Sequence, residues 1–165
     1  MTIDRIERID TAGLRYAHGL RRPWLSPLLV VFTRTGNLGL LWIALAAMLD
    51  HPQRVTLTLV ATMLVCESIK QIARRERPAL ARMERLIGVQ KTTSFPSGHA
   101  ASAMAAAVLL TAFAPAFAPI WFGLAALMAL SRVYVGVHYP SDVAVGAMIG
   151  IVIGVVSLGL VTALF

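Results

Sequence analysis

Cysteine, lysine and acid are scarce in this chain, and each shortage excludes something. Cys66 is the single cysteine among 165 residues, so no intrachain disulfide can form. It lies in an apolar run and reads as a small core residue. Aspartate and glutamate together number 8, against 15 lysines and arginines. All charged residues make up 14% of the chain, hydrophobic residues make up 58%, and mean hydropathy is +0.74. Those proportions exclude an ordinary soluble domain. The formal net charge is +7, but the excess is arginine held between apolar runs. Membrane proteins keep basic residues there, so no nucleic-acid partner is expected. No soluble domain, linker or long repeat interrupts the chain, and a single membrane domain over 1–165 is expected. The first ten residues are charged and have no apolar core, so no cleavable leader is expected.

What the chain does have is a series of apolar runs. Those near 28–49, 54–72, 97–114, 119–136 and 141–165 approach or reach spanning length. The expected fold class is all-α and integral to the membrane: a bundle of about five transmembrane helices plus an N-terminal amphipathic helix over 1–22. In that first helix Ile3, Ile6, Leu14, Ala17 and Leu20 roughly share a face. It is too polar to span and is expected to lie in the interface. Asp4, Glu7 and Asp10 come early and Arg15, Arg21 and Arg22 late, which suits the helix dipole. Gly36-Asn37 marks a break in the first span, and Arg34 within it is expected to snorkel to the interface. In the last span Gly146, Gly150 and Gly154 repeat every four residues, which marks a packing face. That face could serve a homodimer or the inside of the bundle.

Three stretches carry chemistry. Ser131 to Asp142 reads S-R-V-Y-V-G-V-H-Y-P-S-D. Pro140 suits the first turn of a helix. On such a turn His138 and Asp142 share a face. Asp142 can accept a proton from one ring nitrogen of His138 and leave the other free to attack. Arg132 can fork onto a phosphate. The second stretch places Lys70 and Arg77 close to two helical turns apart, with too few acids to neutralise them. The third, Phe95-Pro96-Ser97-Gly98-His99, opens a span, where unpaired N–H groups and the dipole favour an anion. Ser97 adds a donor, Gly98 permits close approach, and His99 can transfer a proton. Five crossings put all of these on the same membrane face, the one that carries the N-terminus.

The three stretches resemble the signature of the type 2 phosphatidic acid phosphatase family, which shares its site with vanadium haloperoxidases. Lys70 with Arg77-Pro78 meets K-x6-R-P, Pro96 to His99 meets P-S-G-H, and Ser131-Arg132 with His138 and Asp142 meets S-R-x5-H-x3-D. The family's common form has six spans, so this chain is short for it. The resemblance implies hydrolysis of a lipid phosphate through a phosphohistidine, without metal or other cofactor. His138 would attack phosphorus, Asp142 would hold its tautomer, and His99 would act as acid and then base. Lys70, Arg77, Arg132, Ser97 and Gly98 would hold the phosphate. A zinc site of two histidines and an aspartate is the competing enzyme reading, disfavoured because three cations would repel the metal. A channel or transporter would need a polar path through the bundle, and the polar groups cluster at one end. A catalytically silent lipid-binding member is the non-enzyme alternative.

The partners expected are the bilayer and a membrane lipid or prenyl phosphate, in the bacterial inner membrane. Short members of the family resemble phosphatases of decaprenylphosphoryl-5-phosphoribose. Polyprenyl diphosphate, phosphatidylglycerophosphate and phosphatidic acid are the alternative substrates. Arg5, Arg8, Arg15, Arg21, Arg22, Arg74, Arg75, Arg82, Arg85 and Lys91 fall on the site's side of the membrane, against Arg54 alone on the other. The positive-inside rule then puts the site in the cytoplasm.

Overall fold

The computed structural model describes residues 2–78, 85–88 and 93–164, and among these all regular structure is helical. Arg82 and Lys91 lie outside the described residues. Helix α1 (Thr2–Gly19) is followed by α2 (Leu25–Thr35), a 3₁₀ turn (Asn37–Gly39) and α3 (Leu40–Ala47). Then come α4 (Pro52–Ala73), α5 (Gly98–Phe113), α6 (Ala118–Tyr134) and α7 (Pro140–Leu164).

The ends follow local chemistry. Proline opens α4 and α7, where its missing N–H has no partner to lose. Ser97 caps α5 from an extended conformation. The break expected at Gly36-Asn37 is present: α2 and α3 meet at 62°, with Leu38 and Gly39 both at positive φ.

Five spans are expected from the sequence. Among the described residues three helices are long and apolar enough to cross a membrane: α4, α7, and α6 with the turn before it. The bent pair α2–α3 makes a fourth if counted as one span, and α5 is a shorter apolar helix of 16 residues.

Helix α5 is the central element. Six of its alanines, among them Ala100, Ala101, Ala103 and Ala106, are fully buried, and small side chains let neighbouring backbones approach. The glycine stripe of α7 fits against them. A Cβ at Gly146 or Gly150 would run into the carbonyls of Ser97 and Ala101, and one at Gly154 would lie 2.9 Å from Val108. The stripe is therefore used up within the bundle and is not free to make a homodimer.

Helix α1, expected to lie in the interface, also meets the rest of the protein. It docks on the bundle. Leu14 packs with Ala100, Ala129, Val133 and Val143, and Asp10 is buried. The side chain of Ile3 lies outside the described ones.

Candidate active site

The ends of four helices and one bend meet at one end of the bundle. Lys70 comes from the last turn of α4 and Arg77 from the segment after it. Gly98 and His99 open α5, Arg132 closes α6, and His138 lies in the short link before α7. All six line one cavity of about 480 Å³. Arg34, Asn37 and Leu38 of the α2–α3 bend complete its wall, with Ile87 and Gly88. Those last two are drawn in by the Leu86 N–H, which donates to the Val135 carbonyl at 3.0 Å.

His138 is placed by the way α6 ends. Val135, Gly136 and Val137 donate back to carbonyls of Ser131, Val133 and Arg132. Gly136 has φ of +84°, a conformation that suits glycine. The chain thus turns sharply and buries His138 at 3% exposure. Asp142 follows one helical turn later and is completely buried. Its Oδ2 lies 3.6 Å from His138 Nδ1, slightly beyond hydrogen-bond length. The same oxygen accepts the Tyr139 N–H at 2.9 Å, and Oδ1 accepts Arg75 Nη1 at 2.7 Å.

The other ring nitrogen fixes the tautomer. Arg77 Nη1 lies 3.2 Å from His138 Nε2, and a guanidinium can only donate. Nε2 is therefore the acceptor, and Nδ1 carries the proton toward Asp142. Burial pushes the His138 pKa down to about 4, against the opposing pull of Asp142 and with help from Arg132 and Arg77. The ring is neutral at pH 7 and keeps a lone pair on Nε2. Burial also lowers the Arg77 pKa, from a value so high that the guanidinium stays charged.

The cations are held in different ways. Arg132 is 7% exposed and donates from Nη1 to Thr33 Oγ1 at 2.9 Å. Its Nε is buried and makes no hydrogen bond. Lys70 pairs with Glu67 at 3.1 Å. Arg34, expected to snorkel to the interface, is exposed and lines the cavity from the end of α2. His99 meets Asn37, Nε2 to Oδ1 at 3.1 Å.

Asp142 and Ser97 are the two expected site residues that do not line the cavity, and of these Ser97 sits at the start of α5. It is buried, its hydroxyl accepts the Ala100 N–H at 3.5 Å, and its own N–H donates to the Asp142 carbonyl at 3.0 Å. Among the described residues no three His, Cys, Asp or Glu side chains gather as metal ligands would.

Thr33, Asn37, Arg75 and Asp10 are the residues that sequence reasoning missed. For Asp10 a signal existed: it lies four residues after Ile6 and four before Leu14, on the apolar face of α1, where a lone carboxylate needs a buried partner. The other three carry no such mark.

The family model described as PAP2 superfamily matches residues 53–165. A relative from Mycobacterium tuberculosis, called decaprenylphosphoryl-5-phosphoribose phosphatase, is 42% identical over 88 residues, covering 53% of this chain and 49% of that one. The match thus spans about half the length of that curated relative. Two crystal structures superpose closely. One is a transmembrane PAP2 type phosphatidylglycerolphosphate phosphatase from Bacillus subtilis, with TM-score 0.81, 24% identity, and coverage of 98% of this chain and 88% of that chain. The other is LpxE from Aquifex aeolicus, with TM-score 0.81, 29% identity, and coverage of 91% and 94%.

Proposed function

The chain belongs to the PAP2 superfamily, and on that premise we propose that it is a membrane phosphatase that removes a phosphate from a prenyl-linked sugar phosphate such as decaprenylphosphoryl-5-phosphoribose. One observation carries the reading: the Nε2 lone pair of a neutral, buried His138 faces a cavity lined by Arg34, Lys70, Arg77 and Arg132. A phosphate dianion needs cations and a positioned nucleophile. The unpartnered Nε of Arg132 suits a phosphate oxygen.

The reaction runs in two steps. His138 Nε2 attacks phosphorus, the bond to the leaving oxygen breaks, and His99 donates a proton to that oxygen. Arg77 gives up Nε2 for a phosphate oxygen as the nucleophile engages. Asp142 stabilises the positive ring that forms. Water, deprotonated by His99, then attacks the phosphohistidine, the P–N bond breaks and inorganic phosphate leaves. Gly98 adds its N–H to the phosphate, while Ser97 acts through the helix start it caps. The substrate reading is supported by the name of the mycobacterial relative. The site faces the cytoplasm of the bacterial inner membrane, by the arginine balance already given.

The test is phosphate release in detergent with EDTA. The panel comprises a prenyl-phosphoribose phosphate, a polyprenyl diphosphate, phosphatidylglycerophosphate and phosphatidic acid. The prenyl-phosphoribose phosphate is expected to react fastest. Vanadate, which can mimic the five-coordinate transition state, should compete. His138→Ala should release nothing. Activity lost to EDTA and restored by zinc or magnesium would overturn the mechanism, and faster release from another lipid would overturn the substrate.

A further inference from the structure

The reaction above makes no use of Asp10, yet Asp10 is 1% exposed. A buried carboxylate is costly unless it is paired, and this one is paired on both oxygens. Oδ1 accepts the Ser141 N–H at 2.8 Å. Oδ2 accepts the Ser141 hydroxyl at 2.5 Å and Arg75 Nη2 at 2.6 Å. Ser141 is the second residue of α7, so its N–H is one that the helix itself leaves without a partner. A side chain of α1 therefore caps α7 across 131 residues of sequence.

Arg75 carries the link to the reacting group. Nη1 donates to the Ser141 hydroxyl and to Asp142 Oδ1, each at 2.7 Å. The guanidinium carbon sits 4.2 Å from the centre of the Tyr139 ring. The planar fork thus spans two carboxylates, one from α1 and one from α7, with its own plane held by the aromatic face. The Asp142 oxygen that Arg75 leaves free is the one facing His138. Gly13 makes the approach possible, since a Cβ there would lie 2.6 Å from Pro140 Cγ.

We propose that Asp10 is a positioning residue for the phosphoryl transfer. Through Arg75 and Ser141 it fixes the first turn of α7 and holds the Asp142 carboxylate so that Oδ2 faces His138 Nδ1. The inference rests on His138 being the nucleophile. Asp10 lies behind Asp142 and meets no substrate, so it acts on turnover and not on binding. Without it the fork of Arg75 keeps a single carboxylate, and the plane of Asp142 is no longer set.

The experiment compares Asp10→Asn, Arg75→Lys, Asp142→Asn and the double variant Asp10→Asn/Asp142→Asn in detergent, with folding checked by thermal melting. Asp10→Asn keeps the volume, and Arg75→Lys keeps the charge but loses the fork. Each is expected to lower kcat roughly tenfold or more while KM changes less than about twofold. In the Asp142→Asn background, Asp10→Asn should cost nothing further, because both act through one carboxylate. An unchanged kcat, an effect on KM alone, or the same loss in both backgrounds would overturn the proposal. A second readout needs no turnover: in protein labelled with ¹⁵N in its histidines, the Nδ1–H resonance of His138 should move in Asp10→Asn or Arg75→Lys. A resonance that stays put in a folded variant also overturns it. If the wild type hydrolyses nothing, the phosphatase reading fails, and this resonance still decides whether Asp10 positions His138 through Asp142.

Discussion

Thr33 Oγ1 accepts a hydrogen bond from Arg132 Nη1 at 2.9 Å, joining α2 to the end of α6 across 99 residues of sequence. Ser131 donates to the same oxygen at 3.0 Å. Thr33 is completely buried, so it fixes the direction of a guanidinium whose Nε makes no hydrogen bond and is proposed to meet a phosphate oxygen. Thr33→Val keeps the shape and removes the acceptor. Hydrogen bonds to charged groups are worth about 1.5–3 kcal/mol, so KM and the vanadate inhibition constant should rise roughly tenfold or more. Steady-state kinetics would show this, and an unchanged KM would count against the assignment.

His99 should reveal its role through the leaving group. As the acid it matters most when the departing oxygen is strongly basic. His99→Ala should therefore lose roughly 10²–10⁴ in kcat with an alkyl phosphate and much less with an aryl phosphate that leaves without protonation. Asn37→Ala, which removes the 3.1 Å contact to Nε2, should follow the same pattern with a smaller loss. Equal losses for both substrates would exclude His99 as the acid.

The neutral state of His138 has a pH signature. Its pKa in the fold is about 4, below the ordinary 6.5, so the ring binds no proton as pH falls from 7 to about 5. Over that range an unfolded chain would take up the proton and the folded one would not, so this residue's contribution to stability falls with pH. Arg77 is one cause of the low value, and removing a positive neighbour favours the imidazolium. Arg77→Gln should therefore raise the His138 pKa, as read from ring ¹⁵N shifts across a pH series. A value that stays put or falls would contradict the tautomer and charge arrangement described here.

Two glycines of α7 make a paired test of the seam with α5. Gly150 faces the Ala101 carbonyl, whereas a Cβ at Gly159 meets nothing within 4 Å. Gly150→Ala must push two backbones apart, and overpacking of this kind costs about 1–3 kcal/mol. Gly159→Ala should be neutral or slightly stabilising. Thermal melting in one detergent compares them, and equal melting temperatures would show that the seam yields.

The site was legible where its residues sit close in sequence and at helix ends. Proline at 140, the cap at Ser97 and the His138–Asp142 spacing all announce local geometry. Sequence alone could not give contacts made by packing. Asn37 reaches His99 across 62 residues, and nothing at Asn37 itself says so. Arg75 looks like any loop arginine until Asp10 and Asp142 appear on either side of it. Arg34 lines the cavity from the end of α2, and its place there depends on the bend at Gly36–Gly39 rather than on the residue itself. The glycine stripe of α7 likewise reports close packing without naming the partner, which the structure gives as α5.

Membrane orientation can be tested at Gly88, which is exposed and has nothing within 4 Å of an added Cβ. A cysteine placed there in a Cys66→Ala background should react with an impermeant maleimide only after cells are lysed. Labelling of intact cells would put the cavity outside and favour a diphosphate recycled there over a phosphate lipid made within.

The length of α5 bears on how deep the chemistry lies. Its 16 residues rise about 24 Å at 1.5 Å each, less than the roughly 30 Å of a hydrocarbon core. A helix of that length placed with its far end at one boundary would hold His99 several ångströms beneath the other. On the function proposed above, a lipid phosphate would then sink below the level of neighbouring headgroups to reach His138. Bilayer thickness would set how far it has to sink, so short-chain lipids should ease entry and long-chain lipids should hinder it.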